Sequence, residues 1–282
     1  NACPPSFATG FITTWKTDNP GSTASNQVRL SFGTINGYEV DWGDGNTQST
    51  SSSNPIHTYA SPGTYTIRVM GDIRSFNANS TGNPAKLLTV EQWGDVEWRS
   101  MDFAFWNAAN LQINAVDAPD LSRVTSLLNM FFNATSFNSD ISQWDTSTIT
   151  NMTGMFNGAT SFNQSLNGWD TSNVINMNNM FILASSFNSD ISQWDTSNVE
   201  SMNTMFSNTP FNQPLNDWNT SKVRSMVGMF QNNTTFNQPL NDWDTTALEW
   251  SGNMFYYATS FNQPLNNWDT SKVTDMGWMF GG

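Results

Sequence analysis

The side chains of this sequence that are best suited to chemistry are acidic and recur at a fixed interval. A carboxylate follows a tryptophan about every 25 residues, and Asn219 takes the same place once. Carboxylates stacked in this way offer the oxygen ligands that a hard cation such as Ca²⁺ prefers. We name these residues the Asp column: Asp145, Asp170, Asp195, Asp244 and Asp269.

Two interpretations fit the Asp column. Carboxylates stacked at the spacing of neighbouring strands repel one another, so either bound calcium or hydrogen bonds must offset the repulsion. In the second case, each carboxylate accepts a backbone N–H from the turn that follows it. Asn219 favours the turn, because asparagine makes the same turn whereas a missing charge weakens a row of metal ligands. We therefore predict turn carboxylates and no cofactor, with calcium as the alternative.

Two further columns keep the same interval. The asparagine of each Phe-Asn pair predicts a ladder that satisfies turn backbone, with a ligand-binding stripe as the alternative. The recurrent tryptophans predict core side chains, with the stacking of sugar rings as the alternative. The Asn column is Asn138, Asn163, Asn188, Asn212, Asn237 and Asn262, and the Trp column is Trp144, Trp169, Trp194, Trp218, Trp243 and Trp268.

Residues for catalysis are scarce. His57 is the only histidine and Cys3 the only cysteine, so the sequence has neither a Ser-His-Asp set near the repeats nor a zinc cluster. It also lacks a glycine-rich phosphate loop. We predict that the protein is not an enzyme, that His57 forms a hydrogen bond beside a turn, and that Cys3 is either incidental or pairs between chains.

Charge and hydropathy limit the partners. The 10 Lys and Arg residues against 23 Asp and Glu residues give a net charge of -13, which argues against nucleic acid and anionic membranes. No apolar run approaches the roughly 18 residues of a membrane span. The chain starts Asn-Ala-Cys, which is typical of a secreted protein after signal-peptide removal. We therefore expect an extracellular or cell-surface protein.

A sequence repeat of about 25 residues positions the three columns. The tryptophans lie 25, 25, 24, 25 and 25 residues apart. Within a unit, Met152, Met155 and Phe156 have the spacing of a helical face, and residues 162 to 169 have the composition of a short strand. One unit cannot bury its own large side chains, so the units must stack. The predicted repeat core also contains Phe137, Phe162, Phe187, Phe211, Phe236 and Phe261.

The first part of the chain lacks the repeat and predicts strands between turns. Residues 40 to 46 read Val-Asp-Trp-Gly-Asp-Gly-Asn, and residues 57 to 67 contain His-Thr-Tyr followed by Ser-Pro-Gly-Thr-Tyr. Together they resemble the polycystic-kidney-disease (PKD) domain. The resemblance implies an immunoglobulin-like β-sandwich that serves as an extracellular spacer or recognition module.

The repeats carry a second resemblance. Their Met-x-x-Met-Phe, Ser-Phe-Asn-Gln and Trp-Asp-Thr-Ser segments, over residues 95 to 280, resemble the BspA-like leucine-rich-repeat surface proteins of bacteria and some protists. This resemblance implies a solenoid exported to the cell surface, with roles in adhesion.

The predicted fold class is multidomain. An all-β immunoglobulin/PKD-like sandwich is followed by an α/β leucine-rich-repeat-like solenoid with a short strand and a short helix per repeat. The expected divisions are residues 1–80 for the head, 81–125 for a linker and degenerate capping repeat, and 126–282 for the repeats, the last one incomplete.

Three functions stay open at this stage. The chain could be the subunit of a head-to-tail homopolymer, a fibre or surface layer, whose assembly surface is formed by Met276, Met279 and Phe280. It could be a monomeric adhesin that binds a host or environmental protein or glycan. It could also be the glycan-binding appendage of a larger secreted protein. The sequence favours the first.

Overall fold

A computed structural model describes residues 8–281. Cys3, and with it the expectation of a thiol that pairs between chains, lies outside the described residues. The elements are β1 (Phe11–Lys16), β2 (Gln27–Arg29), β3 (Phe32–Asp41), β4 (Thr47–Thr50), β5 (Ile56–Thr58), β6 (Thr64–Phe76), 3₁₀ helices at Asn79–Thr81 and Pro84–Lys86, β7 (Leu87–Gln92) and β8 (Gln112–Ile113).

The head contains two sheets. Six strands form the larger one, in the order β4-β3-β6-β1-β7-β8, and β2 pairs with β5 in the smaller one. Alternate residues of β1 point inward, so that Phe11, Thr13 and Trp15 are buried, as expected for a strand with one buried face. Phe11 packs edge-to-face on Phe32, with ring centroids 6.3 Å apart.

The larger sheet joins the head to the repeats. β1 pairs with β6 on one side and with β7 on the other, and β7 pairs in parallel with β8. Beyond the sheet, Ser75 forms a parallel bridge with Ser100, and the N–H of Ala78 donates to the carbonyl of Ala104 at 2.8 Å. The head therefore covers the near side of the first repeat unit. The domain division at residue 80 stays a prediction.

The predicted α/β solenoid is wrong. The described residues are nearly all β or turn, and their only helical segments are the two three-residue 3₁₀ helices. The predicted strand over residues 162 to 169 is absent as well. Successive units instead meet at one-residue parallel bridges, such as Asn151 with Asn176, which in most units lie just before the first methionine.

Consecutive turns stand where short helices were predicted. The N–H of Met155 donates to the carbonyl of Met152, and that of Asn157 donates to the carbonyl of Gly154, both three residues back. Such turns keep side chains three and four residues apart on one side, as a helix does. The Met-x-x-Met-Phe spacing therefore predicted the buried side correctly and the backbone conformation incorrectly.

The alternate N–H groups explain why these turns do not continue as a helix. Phe156 donates to the carbonyl of Met180, and Gly158 to that of Ile182, both in the next unit. Gly154 and Gly158 have φ values of 62° and 69°, in the left-handed region that interrupts a right-handed helix. Half of the donors of each turn segment thus bind the neighbouring unit.

Phenylalanine rings fill the interior of the repeats. The rings of Phe156 and Phe181 lie 5.5 Å apart and almost parallel, and Phe156 also stacks on Phe162 of its own unit at 4.1 Å. Burial of each such side chain contributes roughly 1.5–3 kcal/mol. The continuous column comprises Phe131, Phe156, Phe181, Phe206, Phe230, Phe255 and Phe280.

Candidate functional site

Each side chain of the Asp column binds its own turn. Oδ1 of Asp145 accepts the backbone N–H of Ser147 at 3.0 Å, and Oδ1 of Asn219 accepts that of Ser221 at 3.1 Å. The other members make the same bond two residues along the chain: Asp170, Asp195, Asp244 and Asp269. Aspartate and asparagine thus have the same structural partner in this column.

The turns also set the charge of the column. The hydroxyl of Ser147, followed by its backbone N–H, lowers the pKa of Asp145, and equivalent Ser or Thr groups lower the pKa of Asp195, Asp244 and Asp269. These four carboxylates are therefore ionised at neutral pH. Within residues 8–281, no group of three or more His, Cys, Asp or Glu side chains is arranged to hold a metal ion. Calcium binding by the column stays the alternative hypothesis.

The lowered pKa values predict a pH dependence of stability. In the unfolded chain an aspartate titrates near 3.9, above its pKa in the fold, so this stabilisation is present above about pH 4 and is lost as the pH falls through the folded-state pKa. We expect the melting temperature of a variant with Asp145→Asn, Asp195→Asn, Asp244→Asn and Asp269→Asn to fall less between pH 5 and pH 2 than that of the unmodified protein.

Calorimetry over this pH range measures the difference, and the natural Asn219 shows that an amide forms the same turn. Equal acid sensitivity of the two proteins would show that the turn carboxylates do not control it.

A threonine that follows the Asp column ties neighbouring units together. The hydroxyl of Thr146 donates to the carbonyl of Asp170 at 2.9 Å, and Thr146 is buried. The sequence interpretation missed this role, although the constant threonine after each Asp or Asn was a signal for it. The same bond is made by Thr171, Thr196, Thr220 and Thr245.

The Asn column forms bonds between units. Oδ1 of Asn138 accepts the backbone N–H of Asn163 at 2.9 Å, and Oδ1 of Asn163 accepts that of Asn188 at 2.8 Å. The same link continues through Asn212, Asn237 and Asn262. These side-chain carbonyls are therefore used in the contacts between repeats.

The Trp column lies inside the stack. Its first five members are between 2% and 6% exposed, and Trp268 is partly buried. The indole N–H of Trp194 donates to the carbonyl of Leu166 at 2.9 Å, and the ring of Trp194 stacks on that of Trp218. The same type of bond is made by Trp169, Trp218, Trp243 and Trp268.

The predicted assembly residues differ in exposure. Met276 is 44% exposed and Phe280 is 62% exposed, whereas Met279 is 4% exposed and packs inward. Sequence analysis missed Tyr257 and Trp278, which are 47% and 73% exposed. Their backbone conformation gives a reason, because both have φ above 50° at positions that other units fill mostly with Asn or Gly.

We name Tyr257, Met276, Trp278 and Phe280 the exposed apolar face. The backbone of this face also carries hydrogen-bond donors. In the preceding unit, Phe255 donates its N–H to the carbonyl of Met279. The corresponding N–H groups of Met276, Trp278 and Phe280 have no backbone acceptor within residues 8–281. The face therefore combines apolar side chains with three hydrogen-bond donors.

His57 lies in the head, where its ring stacks on Trp42 at 4.8 Å. Its Nε2 is 2.8 Å from Oδ2 of Asp44, which lies in the turn between β3 and β4. Burial alone would raise the pKa of the Asp44 carboxyl, but hydrogen bonds from His57 and Asn46 outweigh burial and lower it. His57 thus pairs with a turn residue, as its position in the sequence predicted.

These features define the class: a protein with a β-sheet head and a stack of turn-rich repeats with aromatic cores. The chain belongs to the family described as "Mycoplasma protein of unknown function, DUF285", whose family model matches residues 99–210 and 189–282. Residues 5–82 match the PKD domain, which confirms that part of the resemblance. Neither match identifies a BspA-like leucine-rich-repeat protein.

No curated protein and no solved structure matches the chain. The two family matches suggest an extracellular or surface protein. None of the helices in the described part of the chain is long and apolar enough to cross a membrane.

Proposed function

We propose that this chain is a non-enzymatic structural protein of the cell surface that associates head to tail through its exposed apolar face. The observation that carries the proposal is this face, on which Trp278 and Phe280 are 73% and 62% exposed. Large exposed aromatic side chains that lie together are typical of an interface.

The recurrent side chains support a structural role for the repeats. The Asn and Trp columns and the buried threonines bind neighbouring units, and the Asp column binds its own turns. Apart from the indole N–H of Trp144, the groups named above are thus used within the stack. The repeats then serve as a scaffold, and association takes place at the exposed apolar face.

The head of a second copy is the partner that fits the face. Within one copy, the head already covers the side of the first repeat unit that faces it, through the Ser75–Ser100 bridge. The head offers β4, an edge strand of the larger sheet, and edge strands present backbone groups that can pair. Beside β4 lies an open cavity of about 580 Å³ lined in part by Thr50 and Met70. In this cavity, the side chain of Met70 can contact Trp278 or Phe280 of another copy.

Phe280→Asp tests the proposal. A carboxylate in an apolar interface is costly to desolvate, so we expect this variant to be monomeric where the unmodified protein forms larger particles. Deletion of residues 271–282 removes Met276, Trp278 and Phe280 but uncovers Phe255, so a monomer after this deletion would show that association needs these three side chains themselves. Light scattering with negative-stain electron microscopy measures both.

Leu183→Asp is the matched control, because Leu183 is 50% exposed and lies outside the face. It is expected to leave association unchanged. Association that persists in Phe280→Asp, or that is lost equally in Leu183→Asp, would overturn the proposed role of the face.

A further inference from the structure

The geometry points to a second binding site, at the junction of the first two repeat units, that takes a lysine side chain of a partner polypeptide. The site is a cavity of about 350 Å³. Its walls include Ile113 and Ala115 on one side and Ile141 and Trp144 on the other, with Asp117 and Asp140 also among the lining residues.

The cavity exists because the first unit departs from the repeat. In later units the tryptophan N–H donates to a carbonyl 27 or 28 residues earlier, as Trp169 does to Ile141 at 3.1 Å. The equivalent carbonyl for Trp144 belongs to Val116. Val116 is fully exposed on the surface, and no such bond forms. The space between Val116 and Trp144 is therefore open.

Trp144 supplies a hydrogen-bond donor in this space. The side chain is only 6% exposed, yet its indole N–H has no acceptor within residues 8–281, whereas the five other members of the Trp column all have one. The indole nitrogen is not one of the fully buried unpaired atoms, so it is open to the cavity and can donate to an oxygen of an occupant.

Two exposed carboxylates make the cavity selective for a cation. Oδ1 of Asp140 accepts the N–H of Ser142 at 2.9 Å, and the backbone and hydroxyl of Ser142 lower the pKa of Asp140, so it is ionised at neutral pH. Asp117 binds the N–H groups of Trp93 and Gly94. Neither carboxylate forms an ion pair within residues 8–281.

A lysine residue of a bound polypeptide matches these three features together. Its alkyl stem packs on the isoleucine and alanine side chains, and its ammonium group meets the carboxylates. The carbonyl of its own backbone accepts the indole N–H of Trp144. The hydroxyl groups of a neutral sugar can also bond to the Trp144 indole N–H and to the two carboxylates. A sugar carries no positive charge, however, so it lacks the ionic attraction to the carboxylates that lysine has.

The test uses the full chain and the blocked amino acid Nα-acetyl-lysine-N-methylamide. Because the sequence has 13 tryptophans, the readout is the indole N–H resonance of Trp144 in a ¹H–¹⁵N spectrum, assigned by its loss in Trp144→Phe. We expect a saturable shift of this resonance. Calorimetry is expected to show about tenfold weaker binding for both Asp140→Asn and Trp144→Phe.

Matched variants separate the site from general effects on the fold. Asp190→Asn changes the same type of turn carboxylate two units further on, and Trp243→Phe removes an indole N–H that donates to Leu215. Both are expected to bind the lysine probe as the unmodified protein does. The inference is overturned by equal binding of the norleucine analogue, by a shift with glucose in place of the lysine probe, or by equal losses in the control variants.

Discussion

Replacement of Phe181 by alanine is expected to lower the free energy of unfolding by about 3–5 kcal/mol. Phe181 is fully buried and stacks on Phe156 at 5.5 Å, on Phe206 at 6.0 Å and on Phe187 at 3.8 Å. Truncation leaves a hole with ring walls on three sides, and rings held in register by backbone bonds between units cannot close it. Equilibrium urea unfolding measures the loss.

The same column contains its own control. Phe280 is 62% exposed and stacks on one ring only, that of Phe255. Phe280→Ala is expected to cost much less than Phe181→Ala, because the lost contact area is smaller and water fills the space. A stack whose units contact only their neighbours also predicts that Phe181→Ala weakens hydrogen-exchange protection most in the adjoining units. Equal costs for the two variants would contradict the interior role of the column.

Lys86→Met is expected to destabilise the head by roughly 2–4 kcal/mol. Lys86 is 1% exposed, and its ammonium group donates to the carbonyls of Thr23, Ala24 and Gln27 at 3.3, 2.8 and 3.0 Å, and to the hydroxyl of Thr23 at 2.9 Å. Methionine fills the same volume but leaves these oxygens without their donor. The loop between β1 and β2 then keeps only its other hydrogen bonds to the segment before β7, such as those from Thr23 to Oδ1 of Asn83.

Hydrogen exchange measured with urea unfolding tests this assignment. Lys16→Met is the control, since the side chain of Lys16 is 47% exposed and contacts only Asp18 as an ion pair at 3.9 Å. Surface pairs of this type contribute little. A loss below about 1 kcal/mol for Lys86→Met, or increased exchange far from residues 22–27, would refute the anchoring role.

At the level of side chains, the sequence determined which residues of the repeat region recur. The interval of about 25 residues identified which tryptophans and phenylalanines recur, and most of these side chains are buried in the structure. A side chain too large to remain in water must be buried wherever the backbone allows it, so its type and period carry the information. The PKD resemblance likewise depended on local turn residues, and the family match confirms it.

The backbone of each unit was decided only by the tertiary structure. Helical turns and the observed turns place Met152, Met155 and Phe156 on the same side, so the spacing cannot distinguish them. The two kinds of turn differ in where alternate N–H groups point. In the observed turns, the N–H of Phe156 donates to the carbonyl of Met180 in the next unit. Such an acceptor exists only after the units have stacked.

The candidate sites divide in the same way. Period alone identified Met276 and Phe280 as members of the repeat, but only the fold shows that Met279 packs inward while Trp278 is exposed beside them. The cavity at Trp144 likewise depends on the exposure of Val116, whose counterparts in later units, such as Ile141, are buried. Sequence by itself determined which residues recur and which are too apolar for water. Tertiary structure decided which of them have a neighbour, because burial and hydrogen bonding depend on the unit stacked alongside.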